Sequence, residues 1–335
     1  MVAHNLIVMS AALALDACIG DPAWLYKRIP HPVAWMGNLL VLLDRALNRR
    51  PASPGFGIVA GALTLMVLLA LSGAVAWALD HVLSRSWTGM AVLALLASTL
   101  LAQRSLYDHA HAVAMPLRAD DIEGARTALG QIVGRDVRSL DHSAICRAAI
   151  ESLFENLSDG VVAPLFWGCL LGFPGLVLYK AINTADSMIG HRTPKHLYFG
   201  RVSARIDDLV NLVPARLTGL LVALAGMSAR ALRVMATEAR HHRSPNAGWP
   251  EAAIAGVLDI RLSGPRAYHG EITNEPWIHG EGSLPLVADL DRGLQIMLRA
   301  CAILFVLVLA AALYFSFNGR PATISSTWLT AVAID

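Results

Sequence analysis

VVAPLFWGCLLGFPGLVLYKAINTADSMIGHRT, residues 161–193, decides how this chain folds. It opens as an apolar run interrupted at Phe173-Pro174-Gly175, and it ends by setting Lys180, Asn183, Thr184, Asp186, Ser187 and Arg192 together at the lip of that run. A bilayer-spanning helix needs roughly 20 mostly apolar residues. A Pro-Gly interruption at membrane depth is tolerated only where the freed backbone is buried in protein or lines a cavity. The stretch either crosses a membrane or enters and returns, and the rest of the sequence bears on which.

The 335 residues are 55% hydrophobic and 16% charged, with a mean hydropathy of +0.51, far from the soluble balance of about a quarter charged residues. The chain reads as an all-α, polytopic integral membrane protein. Runs at 57–79, 87–106 and 296–317 are long enough to span, and the N-terminal run HNLIVMSAALALDACIG makes a fourth. That first run has no basic stretch before its apolar core and no small-residue cleavage site after it, so it is expected to be retained as a membrane segment. Two further runs are broken: 161–182, and 209–227 with Pro214 and Arg216 inside it.

Lys and Arg concentrate in cytoplasmic loops. Lys27, Arg28, Arg45, Arg49 and Arg50 put the first loop inside; 80–86 has only Arg85; 104–160 carries Arg104, Arg118, Arg126, Arg135, Arg138 and Arg147. A full crossing at 161–182 would then turn Lys180, Arg192, Lys195, Arg201 and Arg205 outward, against the rule. The expected topology is therefore four full spans plus two re-entrant segments. Residues 1–335 form a single membrane domain, with 108–160 and 228–295 as cytoplasmic helical and loop regions packed on it.

A net charge of +2, with no run of like charge, gives no case for nucleic acid. Cys18, Cys146, Cys169 and Cys301 lack CxxC spacing and are read as reduced packing residues.

Ionisable side chains in membrane segments are costly and mark function by default. In RAAIESLFENLSDG, residues 147–160, Arg147, Glu151, Glu155 and Asp159 recur every four positions and form a stripe on one helix face. Its three carboxylates suit Mg²⁺, a hard cation that takes oxygen ligands and bridges to substrate phosphates; a solvated face with an Arg147/Glu151 pair is the alternative. Beside Asn156, the lip supplies a second cluster. Lys180, Asn183, Thr184 and Ser187 share a narrow helical face with Asp186 at its side, suiting a phosphate and a cation, against a plain helix end with a snorkelling lysine.

RIDDLVNLVPARLTG, residues 205–219, supplies the third: Asp207 and Asn211 on one face, Asp208 off it, and Arg216 in the apolar part, where a structural Asp–Arg pairing competes. SPNAGWPEAAIAGVL, residues 244–258, has turn chemistry before a helix start, fit for an anion or simply a tight turn. Near the N-terminus, Asp16 lies in a spanning helix with Asp21 and His31 at its exit, and His31 alone is more often structural than a base. The pairs His109/His111 and His241/His242 lack zinc-site partners.

LDACIGDP with PHPVAWMG, ESLFENLSDGVVAPLFW, LYKAINTADSMIGHRT, ARIDDLVNLVPARLTGLL and SPNAGWPEAAIAGVL stand in the order and approximate spacing of the CobD/CbiB family of cobalamin biosynthesis, which the chain resembles from Leu15 to about Gly282. The resemblance implies adenosylcobinamide-phosphate synthase activity: an inner-membrane, multi-pass enzyme with its active site facing the cytoplasm. It would join adenosylcobyric acid to (R)-1-aminopropan-2-ol O-phosphate, or a related amino alcohol, through an amide bond using ATP and Mg²⁺.

Carried onto this sequence, the motif residues are Asp16, Asp21 and His31; Glu151, Glu155, Asn156 and Asp159; Lys180, Asn183, Asp186 and Ser187; Asp207, Asp208, Asn211 and Arg216; and Asn246 and Glu251. The position after SMIG, often Tyr in such sequences, is His191 here. No GxxxxGK[ST] loop is present, so ATP is not held in P-loop fashion.

Amide formation from a carboxylate needs activation, and an acyl phosphate is the expected route. Catalytic work falls to Glu151, Lys180, Asp186, Asp207 and Asp208, with Mg²⁺ on Glu151, Glu155, Asp159 and Asp186. Lys180 and Arg192 hold phosphate, and Asp207 or Asp208 takes the amine. Asp21, His31, Asn156, Asn183, Thr184, Ser187, Asn211, Arg216, Asn246 and Glu251 complete substrate binding. The partners are the two substrates and the lipid bilayer, with room for homo-oligomers or other enzymes of the pathway. Two other readings stay open: a phospho-alcohol or prenyl diphosphate transferase, which would use the same Asp/Asn clusters on a diphosphate without ATP, and a non-catalytic AmpE-like membrane sensor or transporter.

Overall fold

The structure, a computed structural model, describes residues 2–48, 53–134, 136–191, 193–268, 271–273 and 275–318. Arg49, Arg50, Arg135 and Arg192, which figured in the sequence reading, lie outside these. The N-terminal run is helix α1 (Val2–Ile19), followed by the short α2 (Ala23–Tyr26) and by α3 (Pro32–Leu47). Next come α4 (Pro54–Leu83), α5 (Trp87–Ser98), α6 (Gln103–Arg118), α7 (Ile122–Leu129) and α8 (His142–Leu157). A π-helical turn, Ser158–Val162, leads into α9 (Ala163–Ile189). After it stand α10 (Arg201–Val210), α11 (Leu212–Ala225), α12 (Ala229–Glu238), α13 (Gly248–Leu258) and the long α14 (Val287–Asn318). Between the last two, β1 (Leu262–Ser263) pairs antiparallel with β4 (Trp277–Ile278), and β2 (Arg266–Tyr268) with β3 (Glu271–Thr273). These small ribbons are strand within 228–295, a region expected as helix and loop.

By length and hydropathy five helical stretches among the described residues can cross a membrane: Val2–Ile19, Pro54–Leu83, Trp87–Arg118, His142–Ile189 and Val287–Asn318. The fourth, 48 residues long, is not a rod. Gly172 has φ 74° and ψ −164°, outside any helical region. Beyond this kink the hydroxyl of Tyr179 donates to the carbonyl of Asp159 at 3.3 Å. Twenty residues of straight helix would separate those groups by about 30 Å, so the chain has folded back on itself. Each arm of this hairpin, from Asp159 to Gly172 and from Gly172 to Asp186, is about 20 Å long at helical rise, short of a hydrocarbon core of about 30 Å. The broken run of the sequence is therefore a folded-back hairpin, the shape a re-entrant segment needs, with four full-length candidates around it.

The second broken run is the pair α10/α11, bent by 47° at Asn211, after which α12 returns with the Met235 side chain against Gly219 of α11. The last membrane helix starts at Val287, nine residues before the apolar run expected at 296, because its first turns are covered by protein: Asp289, Leu290 and Leu294 are buried.

One continuous apolar core runs from α1 through α5, α6, α8, the hairpin, α11, α13 and α14. A smaller one joins α3, α4 and the second arm of α9 through Leu40, Leu68, Ala181, Ala185 and Phe199. Outward faces of the spanning helices carry large apolar side chains such as Val59, Met66, Trp77, Leu307 and Phe317, as a lipid-facing surface requires.

The first loop and the segment after the hairpin are tied together. Asp44 of α3 pairs with Lys195, and with His196 at 3.2 Å, and accepts a hydrogen bond from Asn48. The basic first loop and the lip of residues 180–196 thus stand on the same side of the bundle.

Candidate active site: an acidic groove at the mouth of the hairpin

Both ends of the hairpin open into one groove. Its wide part, of about 870 Å³, is lined by Glu151, Glu155, Asn156 and Asp159 from α8 and the π turn, by Asn183, Asp186 and Ser187 from α9, by His191, and by Arg243 and Glu251 from the far wall. Its narrow part, of about 90 Å³, adds Ser158, Asp207, Asp208, Asn211, Ser244 and Asn246, and shares Glu155, Asp159 and Asp186 with the wide part. Folding the apolar run back is what brings the acidic stripe and the lip face to face.

The π turn covers Ser158-Asp159-Gly160. A π bulge inserts one extra residue per turn, a feature common at functional sites. Asp207 is fixed from one side: Asn211 Nδ2 donates to its Oδ2 at 3.0 Å, and Tyr179 donates to Asn211 Oδ1 at 2.9 Å. Asn246 Nδ2 donates to the carbonyl of Asp208 at 2.8 Å, pinning the 242–248 loop over α10. Three buried oxygens of residues lining the narrow cavity, Asp207 Oδ1, Asn246 Oδ1 and Ser158 Oγ, have no hydrogen-bond partner. A buried polar atom left in that state costs about 1–3 kcal/mol, and a ligand with positive charge or donors relieves it.

Glu151 is at the other end of the stripe, 4% exposed, and its Oε1 accepts the Ser263 amide of β1 at 2.7 Å. It both lines the groove and clasps the strand ribbon. In that ribbon the Trp277 ring has the guanidiniums of Arg147 and Arg261 over it, each 5.0 Å from its centroid.

Several residues named from the sequence stand elsewhere. Arg216 donates to the Leu212 carbonyl at 2.6 Å and stacks over Trp249 at 4.5 Å, and it is not among the residues that line the groove. Thr184 donates to the Lys180 carbonyl at 2.7 Å within its own helix. Asp16 accepts the backbone N–H of Gln103 at 2.7 Å, satisfying an orphan donor at the start of α6.

His31 is the N-cap of α3, its Nδ1 accepting from the Val33 amide at 3.2 Å, which leaves Nε2 facing Asp21 at 3.5 Å. Neither Asp21 nor His31 lines the groove. Lys180 connects the two regions, lying within electrostatic reach of Asp159, Asp21 and Asp16. Arg192 lies outside the described residues. Ser158, Tyr179, Arg243 and Ser244 belong to the site or support it without having been proposed as site residues, and so does His242, which was discounted with His241. Of these, Ser158, Tyr179 and Ser244 sit inside quoted motifs, and Arg243 follows the discounted His241/His242 pair.

A family model described as CobD/Cbib protein matches residues 9–297. The chain belongs to the CobD/CbiB family. The match includes every element of the groove. Relatives named cobalamin biosynthesis protein CobD include one from Rhodobacter capsulatus, 51% identical over 312 residues, covering 93% of this chain and 98% of that protein. One from a Sinorhizobium species is 45% identical over 321 residues (92% and 98%), and one from Brucella suis is 45% identical over 330 residues (94% and 99%). No solved structure matches.

The CobD/CbiB resemblance implies magnesium. As the side chains stand, no group of three or more His, Cys, Asp or Glu among the described residues is placed to hold a metal ion. The donor set nevertheless fits a hard cation: carboxylates at Glu155, Asp159, Asp186 and Asp207 converge on one cavity, with unpartnered oxygens from Ser158 and Asn246 in its wall.

Proposed function

We propose that this chain, as a CobD/CbiB-family protein of cobalamin biosynthesis, is an adenosylcobinamide-phosphate synthase. It would join the propionate of adenosylcobyric acid to (R)-1-aminopropan-2-ol O-phosphate, or a related amino alcohol, at the cost of ATP. The observation that carries the reading is the two-part groove. A narrow, carboxylate-walled cavity with unpartnered buried oxygens opens into a wide cleft, at the mouth of a re-entrant hairpin on the side of the basic first loop. Catalysis of phosphoryl transfer is mostly positioning and charge stabilisation, and the narrow part has the chemistry for the first and the wide part the room for a second substrate.

Magnesium held by Glu155, Asp159 and Asp186, with Asp207 beside them and Glu151 at the far end of the stripe, would supply the positive charge that a triphosphate needs among carboxylates. Lys180, with Arg192, would supply cations for phosphate, and Asp159, Asp21 and Asp16 lie within electrostatic reach of Lys180. Asn183, Ser187 and Asn156 offer donors and acceptors to the amino alcohol along the cleft. Asn211 and Tyr179 keep Asp207 in place. In this order the corrin carboxylate attacks the terminal phosphorus, ADP leaves, and the amine displaces phosphate from the acyl carbon. Since ATP is cytosolic, the groove faces the cytoplasm and the protein resides in the inner membrane.

The test is ATP-dependent formation of adenosylcobinamide phosphate by purified protein from both substrates and Mg²⁺, with Asp186→Asn and Glu155→Gln beside it. Product from wild type and a loss of about 100-fold or more in the variants is expected, the scale of removing a group that stabilises transition-state charge. A folded wild-type preparation that makes no amide and leaves ATP intact overturns the reading and points to the diphosphate-transferase alternative.

A further inference from the structure

The ligase reading leaves one task unassigned by geometry. An amino alcohol arrives as an ammonium ion, which has no lone pair until a base takes a proton. Asp207 is engaged by Asn211 in the narrow cavity, and Asp208 faces Arg205 at 3.8 Å and carries the 242–248 loop on its carbonyl. Both lie on the cation side of the groove.

The far wall of the wide cleft holds a different arrangement. Glu251 lines it, in the first turn of α13, with its side chain 1% exposed. His242, 5% exposed, places Nε2 3.6 Å from Glu251 Oε1. The Ser244 amide donates to His242 Nδ1 at 3.1 Å, so the neutral ring carries its proton on Nε2, on the side of the carboxylate. The close approach is built in: a Cβ on Gly248 would collide with the His242 side chain and with the Ala239 carbonyl. Arg243, the next residue, lines the same cleft and pairs with Glu275 at 3.4 Å.

We propose that Glu251 is the general base that deprotonates the amino alcohol, and that His242 is the positioning residue that orients its carboxylate. This rests on the ligase reading. Two protons leave the ammonium. The first goes to Glu251 and frees the lone pair, which forms the C–N bond at the acyl carbon; the C–O bond to phosphate breaks, its electron pair departs on phosphate, and the second proton leaves with that phosphate. Glu251 then returns its proton to water in the open cleft.

The decisive comparison uses two nucleophiles on the full-length protein in detergent, with adenosylcobyric acid, ATP and Mg²⁺. Aminopropanol phosphate needs the base; hydroxylamine, already neutral at neutral pH, traps the activated carboxylate as a hydroxamate without one. Glu251→Gln is expected to lower amide formation by roughly 100-fold or more while hydroxamate formation stays within about threefold of wild type. His242→Ala is expected to show the same selective loss, smaller in size, and His242→Gln, whose amide can accept from Ser244 and donate to Glu251, to recover most of it.

Equal losses with both nucleophiles in folded variants, or no loss with either, overturn the proposal. If Glu251→Gln does not fold, the His242 pair decides: a loss in Ala that spares hydroxylamine and is rescued in Gln supports it, and any other pattern sinks it. A wild-type protein that forms neither amide nor hydroxamate would instead remove the ligase reading beneath.

Discussion

At the scale of single residues, the groove depends on side chains that hold other side chains. Tyr179 is buried and donates to Asn211, which donates to Asp207. Tyr179→Phe removes the first donor and leaves Asn211 Oδ1 buried and unpaired, a cost of about 1–3 kcal/mol; a lower melting temperature and slower amide formation are expected together, and an unchanged melt with full activity would refute the chain of support. Asp44 is the other residue whose surroundings set its charge. Burial pushes its carboxyl up, but hydrogen bonds from Lys195 and Asn48 and the charge of Lys195 outweigh this, and its pKa lies below the usual carboxylate range. Such a group stabilises the fold fully above its unfolded pKa of about 3.9 and loses that contribution as pH falls through its lower, folded value. Thermal melts should therefore show Asp44→Asn less stable than wild type at pH 7, by about 1–3 kcal/mol, with the gap closing on acidification below about pH 4; a gap that stays constant down to acid pH would show that Asp44 contributes by shape alone. The polar residues at the groove were legible because carboxylates and amides inside apolar sequence have few other reasons to be there. The surroundings of Arg216 were not legible because a helix sequence shows which face a residue shares, not which ring lies opposite; only the fold brings Trp249 beneath its guanidinium.

At the scale of elements, the hairpin depends on one backbone geometry. The interruption was visible at Phe173-Pro174-Gly175, and the break falls one residue earlier, at Gly172, because proline restricts the backbone preceding it and removes a donor while only glycine adopts φ 74°, ψ −164° without strain. Gly172→Ala should cost about 1–3 kcal/mol, aggravated by the Asn5 side chain, whose Oδ1 would stand 3.0 Å from the new Cβ. The expected readout is a lower yield of folded, detergent-extracted protein and a lower melting temperature, with amide formation per folded molecule reduced as the stripe and the lip separate. Full activity and stability in that variant would mean that the kink tolerates another geometry. The π turn at Ser158–Val162 had no such warning. Five residues of π helix have the composition of α helix, and the acidic stripe was extrapolated through it at α spacing. The strand ribbons went unseen for a related reason: two- and three-residue strands are too short for any periodicity.

At the scale of the whole molecule, the proposed sidedness rests on two lines of argument. The Lys and Arg bias leads one to expect the first loop inside, and the Asp44 cluster with Lys195 and His196 puts the residues after the hairpin beside that same loop. The hairpin makes both compatible, since its arms of about 20 Å go in and come out on one face. A continuous crossing would have separated Asp159 from Asp186, which here line one cavity. Ser187 is exposed at the groove, and Arg85 sits in the short turn between α4 and α5 at the opposite end of α4 from the first loop. In a Cys18→Ser background, which removes the one exposed native thiol among the described residues, a membrane-impermeant maleimide should label Ser187→Cys in inverted vesicles and not in intact spheroplasts. Arg85→Cys should show the reverse. Labelling of both from one side would break the pairing of hairpin and loop, and labelling of Ser187→Cys from outside alone would place the groove away from ATP, removing the ligase reading along with the topology.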